Sequence, residues 1–144
     1  MGRLQLALTV SDIDASVDFY SKVFGTEPAK RRPGYANFTI VDPPLKLVLI
    51  EGENGGTLNH LGVEVETQGE VHGATGRFQE LDLPLRLEDG VECCYALQDK
   101  VWVADPDGAP WEWYTVLGDS DSMASSDASC CTETETSAAC CRSA

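Results

Sequence analysis

Gln5-Leu6-Ala7-Leu8-Thr9-Val10 and, later in the chain, His60-Leu61-Gly62-Val63-Glu64-Val65 are two copies of one pattern. Each alternates apolar and other residues with a period of two, as a half-buried strand does. Leu6, Leu8 and Val10 share one face, and Leu61, Val63 and Val65 share the matching face of the second copy. Gln5 and His60 therefore hold equivalent positions on the opposite faces. A helix follows each strand. In the first copy Ser11 with Asp14 three residues on resembles a capping box. Ile13, Val17, Tyr20 and Phe24 then recur at helical spacing, and Gly25 supplies the stop. In the second copy Val71, Ala74, Phe78 and Leu81 form the stripe, interrupted by Gly73 and Gly76.

Short strands come after each helix. In the first half they are expected near 28–32, 35–41 and 45–51, with Asp42-Pro43-Pro44 turning between the last two. In the second half they are expected near 84–88, 91–104 and 111–117, with Asp105-Pro106-Asp107-Gly108 as the turn before the last. The sum is βαβββ twice, an α+β domain over residues 1–117 with modules at about 1–52 and 58–117.

From Gly118 the composition changes to Ser, Thr, Ala, Asp and Glu, with no aromatic residue. Such a segment buries too little apolar surface to offset its ordering entropy, so 118–144 reads as a flexible acidic tail. The net charge of -14 excludes a nucleic-acid partner, which needs a Lys/Arg footprint. No apolar run approaches the roughly 20 residues of a membrane span, and the N-terminus lacks a cleavage signal. The expectation is a cytoplasmic protein without a membrane partner.

The six cysteines form three adjacent pairs: Cys93-Cys94, Cys130-Cys131 and Cys140-Cys141. Neighbours seldom bond to each other, because the small ring is strained. Disulfides between different pairs stay open, but the spacing is unlike a secreted framework. Adjacent thiols in a reducing compartment suit a soft metal or metalloid.

The duplicated plan, with DPDG just before a last strand carrying Glu112, resembles the vicinal-oxygen-chelate superfamily of glyoxalases and extradiol dioxygenases. That likeness implies two βαβββ modules whose paired, curved mixed sheets surround a metal cleft, with Gln5, His60 and Glu112 as ligands. The stretches PAKRRPGYANFTIVDPPLKLVL, GGTLNHLGVEV, CCYALQDKVWV and WEWYTVL are similar to the carbon–arsenic lyase branch, some of whose members are known only as cadmium-induced. Those enzymes use iron(II) and dioxygen to remove the organic group from trivalent organoarsenicals. The resemblance assigns arsenic binding to Cys93 and Cys94. It places Tyr95 and Lys100 in a mobile substrate loop, as catalytic lid residues.

The residues set limits on that assignment. One imidazole, one carboxylate and one amide make a variant of the facial triad of non-haem iron enzymes, and Mn, Co or Ni suit the same donors. His60 alone reads as a satisfied histidine, and Tyr95 and Lys100 alone as an exposed strand end. Glu112 between two tryptophans needs a partner if buried. Adjacent side chains on a strand point to opposite faces, so two thiols gripping one arsenic require a loop or bulge at Cys93-Cys94. The expected partner is a small organoarsenical, and the chain is a monomer or a homodimer. A thiol-based arsenite or cadmium binding protein without turnover and an extradiol ring-cleaving dioxygenase are the rival functions. The tail thiols Cys130, Cys131, Cys140 and Cys141 lie outside the likeness.

Overall fold

The computed structural model describes residues 2–121, and the chain divides into two compact units. The expected tail and its four cysteines lie outside the described residues, apart from the first positions. The last strand of the fold continues through Asp119.

The first unit covers Arg3–Leu61. It holds β1 (Arg3–Val10), α1 (Ile13–Phe24), β2 (Lys30–Arg32), β3 (Tyr35–Ile40), β4 (Leu45–Glu51) and the start of β5 (Thr57–Glu64). The strand order is β2-β3-β4-β1-β5. β1 runs parallel to β4, with Leu6 opposite Leu47 and Leu8 opposite Leu49. β3 is antiparallel to β4. A strand that returns parallel needs a crossover, and α1 lies within it. Ile13 and Val17 of α1 pack with Val10, Phe38, Leu47 and Leu49, and Leu6 and Leu8 lie against this cluster. The helix begins one residue later than the Ser11 pattern suggests. Asp12 is the N-cap and its side chain accepts from Ala15 N, while Gly25 ends the helix in the left-handed region at φ 63. An aspartate oxygen satisfies the orphan N–H as well as a serine does, so sequence pattern alone could not choose between Ser11 and Asp12. Glu51 at the end of β4 accepts from Ile13 N at 2.8 Å and so ties strand to helix.

The second unit takes over from Gly62. It contains the end of β5, then α2 (Gln68–Glu80), β6 (Leu85–Cys93), β7 (Ala96–Ala104) and β8 (Pro110–Asp119), with strands in the order β8-β7-β6. α2 forms despite Gly73 and Gly76 because its start is secured twice. Thr67 accepts from Glu70 N, and the Glu70 side chain reaches back to the Thr67 backbone. That reciprocal cap is legible in the sequence as Thr-x-x-Glu. Val71, Ala74 and Phe78 are buried with Val101, and Trp113 packs on them; its ring meets Phe78 edge-on at 5.2 Å. Leu81 leaves the stripe: it is the C-cap residue and is exposed. The continuous strand expected over 91–104 is instead two strands, broken at Cys94-Tyr95.

Candidate active site

In the first unit the apolar face of β1 is taken by α1, which leaves Gln5 on the other face, where it is 4% exposed. His60 on β5 is 6% exposed, and its Nε2 lies 3.1 Å from Gln5 Nε2. The other ring nitrogen, Nδ1, is 2.8 Å from the side-chain carbonyl oxygen of Asn59. A carbonyl oxygen only accepts, so Nδ1 carries the proton, and an amide nitrogen only donates, so Nε2 accepts from Gln5. Asn59 is fixed in turn, because its amide donates to Thr9 Oγ1 at 3.2 Å. An imidazole with its tautomer set by a hydrogen bond, beside a side-chain amide, offers donors of the kind an N/O metal site uses. Sequence reading missed Asn59; its place beside His60 was the only signal.

In the second unit Glu112 is 3% exposed. On β8, Trp111 and Trp113 point toward α2, so Glu112 and Tyr114 point away from it. Across the ladder Trp102 opposes Glu112 and Lys100 opposes Tyr114. Lys100 is 1% exposed and its Nζ donates to Glu112 Oε2 at 3.0 Å, over the Trp102 and Tyr114 rings at 5.4 and 5.9 Å. Burial opposes the charge of Lys100, but the Glu112 carboxylate beside it and their hydrogen bond outweigh that and hold the ammonium above the usual lysine range. The partner that a buried Glu112 required is therefore Lys100. Lys100 sits within β7, laddered on both sides, rather than at an exposed strand end.

The thiols are placed by two irregularities. Along β6, Glu88 opposes Lys100, but Val91 opposes Gln98, so Asp89 and Gly90 together face Asp99. One extra residue reverses the facing of every residue after it. Without it, Cys93 would share the α2 face of Leu85 and Leu87; with it, Cys93 joins the face of Lys100 and Glu112. The hairpin then turns in two residues, Cys94 and Tyr95, at φ 54 and 61. Positive φ at both positions is the type I′ pattern, usually built with Asn and Gly. For Cys and Tyr the left-handed region costs on the order of 1–2 kcal/mol each. The result brings the two sulfurs to 3.3 Å from each other, well beyond a disulfide bond of about 2.05 Å. The hydrogen bond with Cys93, burial and the Glu112 carboxylate raise the Cys94 thiol well above the ordinary range, against the opposing pull of the Lys100 ammonium. Tyr95 is buried, and its carbonyl accepts from Ser120 N at 3.0 Å. Gln98 was not foreseen. Its amide donates to the Cys93 carbonyl at 3.1 Å, while its buried Oε1 has no hydrogen-bond partner among the described residues.

A further group of possible ligands was also missed. His72 of α2, Asp89 and Asp99 bring ligand atoms within 4.8 Å of one another on the α2 face, with only Asp99 buried. Strand alternation puts Asp89 on the same face as Leu85 and Leu87, and Asp99 on that of Val101, so both lie toward the helix.

The profile of the Glyoxalase/Bleomycin resistance protein/Dioxygenase superfamily matches residues 2–113. The chain belongs to that superfamily. Among relatives within it, the chain is 56% identical over 142 residues to the trivalent organoarsenical cleaving enzyme of Thermomonospora curvata, covering 96% of this chain and 94% of that one. It is 57% identical over 126 residues to the cadmium-induced protein CadI of Mycobacterium tuberculosis, covering 87% and 83%. A more distant relative, the trivalent organoarsenical cleaving enzyme of a Bacillus strain, is 36% identical over 134 residues, covering 91% and 83%. Solved structures bear out the superfamily fold. The Mn(II)-bound glyoxalase of Novosphingobium aromaticivorans matches with TM-score 0.61 at 16% identity, over 83% of this chain and 42% of that one. An extradiol ring-cleaving dioxygenase from B. fuscum matches with TM-score 0.60 at 22% identity, over 83% and 34%. The α+β class and the duplicated module read from the sequence are those of the superfamily.

Proposed function

We propose that this protein cleaves the carbon–arsenic bond of trivalent organoarsenicals, methyl or aromatic, and releases arsenite in an iron(II)- and dioxygen-dependent reaction. The observation that carries the reading is the pair Cys93-Cys94, turned so that two sulfurs 3.3 Å apart belong to the same side of the sheet as Lys100 and Glu112. High identity to an enzyme named for this cleavage supports it.

Two adjacent thiols suit the substrate. Each thiol displaces a hydroxyl from arsenic, forming one arsenic–sulfur bond and releasing one water. The arsenic ends held by both sulfurs with its organic group still attached, and a bimolecular encounter becomes a positioned one. Pentavalent arsenicals lack this exchange and are excluded. Gln98 secures the Cys93 carbonyl during capture, and Tyr95, buried in the turn, fixes its shape and walls the substrate. Gln5, His60 and Glu112 are the residues that would hold the metal, through amide, imidazole Nε2 and carboxylate. Their donors fit iron(II), and equally manganese, cobalt or nickel. When bound, iron(II) supplies the redox chemistry with dioxygen that opens the carbon–arsenic bond. Lys100 takes Glu112 Oε2 and so orients the carboxylate as a ligand. The work of such thiols suits the reducing cytoplasm.

Relatives named as cadmium-induced favour one other reading, in which the thiol pair sequesters a soft ion without turnover. The two are separated by turnover of the wild-type chain with iron(II) and air, and single variants then test the thiols. Cys93→Ser and Cys94→Ser should each abolish turnover of methylarsenite while iron(II) binding, followed by calorimetry, stays at the wild-type affinity. Turnover that survives in the double serine variant would show the pair to be structural.

A further inference from the structure

We propose that Asp99 is a positioning residue for the thiol pair: its buried carboxylate clamps the bulge that turns Cys93 toward the face of Glu112. The inference rests on the reading of Cys93 and Cys94 as the arsenic-binding pair. Asp99 stands on β7, where the two residues Asp89 and Gly90 oppose it, and it is 4% exposed. A bulge leaves backbone groups outside the ladder, and a carboxylate as buried as Asp99 is costly unless hydrogen-bonded donors meet it, so the freed N–H and the carboxylate answer each other. Asp99 meets that need directly. Its Oδ1 accepts from Gly90 N at 2.6 Å, and its Oδ2 accepts from the Gln68 side chain of α2 at 2.6 Å.

The clamp acts at the one point where register decides function. Gly90 itself takes φ 61, a conformation that glycine adopts without a steric penalty. If β6 slipped into the regular register continued from Glu88, Cys93 would turn to the α2 face and its sulfur would part from Cys94. Register is weakly specified in a strand whose faces are both partly polar. β6 is such a strand around Glu88-Asp89-Gly90, so something beyond hydrophobic patterning must hold the extra residue. Asp99 supplies it through Gly90, at a distance from the sulfurs themselves.

The test uses the full-length chain with Cys130, Cys131, Cys140 and Cys141 changed to Ser, so that only Cys93 and Cys94 report. Phenylarsine oxide, which needs two converging thiols, is titrated against this parent and against Asp99→Val and Asp99→Asn. The valine variant should bind at least tenfold more weakly, while a monothiol reagent still modifies both cysteines. The asparagine variant retains an oxygen for Gly90 N and should bind within about threefold of the parent. Equal affinity in a folded Asp99→Val protein overturns the proposal. So does equal weakening in both variants, which would indicate a role for the charge alone. Should Asp99→Val fail to fold, hydrogen exchange of the parent decides: the Gly90 amide should exchange as slowly as the amides of β7, and exchange at the rate of an open loop overturns the clamp. A parent that does not bind phenylarsine oxide refutes the thiol-site reading, and with it the positioning role; a slow Gly90 amide would then mark Asp99 as structural only.

Discussion

The two units repeat one topology, yet they bury polar side chains of different kinds. In the unit of Arg3–Leu61 the buried polar residues are Gln5, Asn37 and His60; in the other they are Gln98, Asp99, Lys100, Glu112 and Thr115. The first set is neutral and tied by amide and imidazole hydrogen bonds. The second contains an ammonium–carboxylate pair, a carboxylate that holds a bulge and, beside them, two thiols on a strained turn. A neutral set asks little of its surroundings, and the first unit surrounds it with a regular parallel–antiparallel sheet. A charged set must be matched group by group, and the second unit departs from regular strand geometry where those groups meet. Duplication supplies the frame, and irregularity in one copy supplies the chemistry.

This contrast is most easily broken at Glu112. Glu112→Ala leaves the Lys100 ammonium buried without its carboxylate, and urea denaturation should show a loss of about 3–5 kcal/mol. Lys100→Met with Glu112→Leu removes both charges and should restore most of that. Because Lys100 is held above the usual lysine range, the contribution of the pair is fully present below about pH 10.4, the unfolded lysine value, and is lost as pH rises beyond it. A wild-type midpoint for Glu112→Ala at pH 7 would mean that Lys100 finds another partner or water.

The neutral side should respond less. His60→Ala removes a ring that has two amide neighbours, a change worth about 1–3 kcal/mol in stability, but stoichiometric iron(II) binding should disappear. Wild-type iron affinity in that variant would remove His60 from the metal site. The smallest effect has the opposite sign. Cys94→Gly relieves the left-handed backbone at φ 54 and should raise stability by about 1 kcal/mol, while phenylarsine oxide capture is lost. A destabilised glycine variant would show that the turn is not strained by its cysteine.

Much of this is legible in the sequence for definite physical reasons. Period-two alternation in β1 and β5 sets which face is apolar, and so it assigns Gln5 and His60 to the opposite one. The same rule says that Cys93 and Cys94 cannot converge on a regular strand, which implies an irregularity without locating it. Register is the hidden quantity. Nothing in Asp89-Gly90 declares one extra residue, because a glycine in a strand has many uses, and without that bulge the facing of Cys93 cannot be derived. Lys100 is misjudged from sequence for a related reason. A lysine usually marks exposure, and only the cross-strand position of Glu112 shows that its charge is matched in the interior. Asn59, Gln98 and Asp99 act through individual side-chain hydrogen bonds that have no sequence pattern.

The central claim is that the thiol pair and the metal residues serve turnover of an organoarsenical. The direct measurement loads the protein with iron(II) anaerobically, adds an excess of methylarsenite, admits air, and follows arsenite by chromatography with element-specific detection. The account predicts several equivalents of arsenite per chain, none without iron or without air, and none from Cys93→Ser. Methylarsenite recovered intact, bound at one equivalent or less per thiol pair whether or not iron and air are supplied, would contradict it and make the protein a sequestering one.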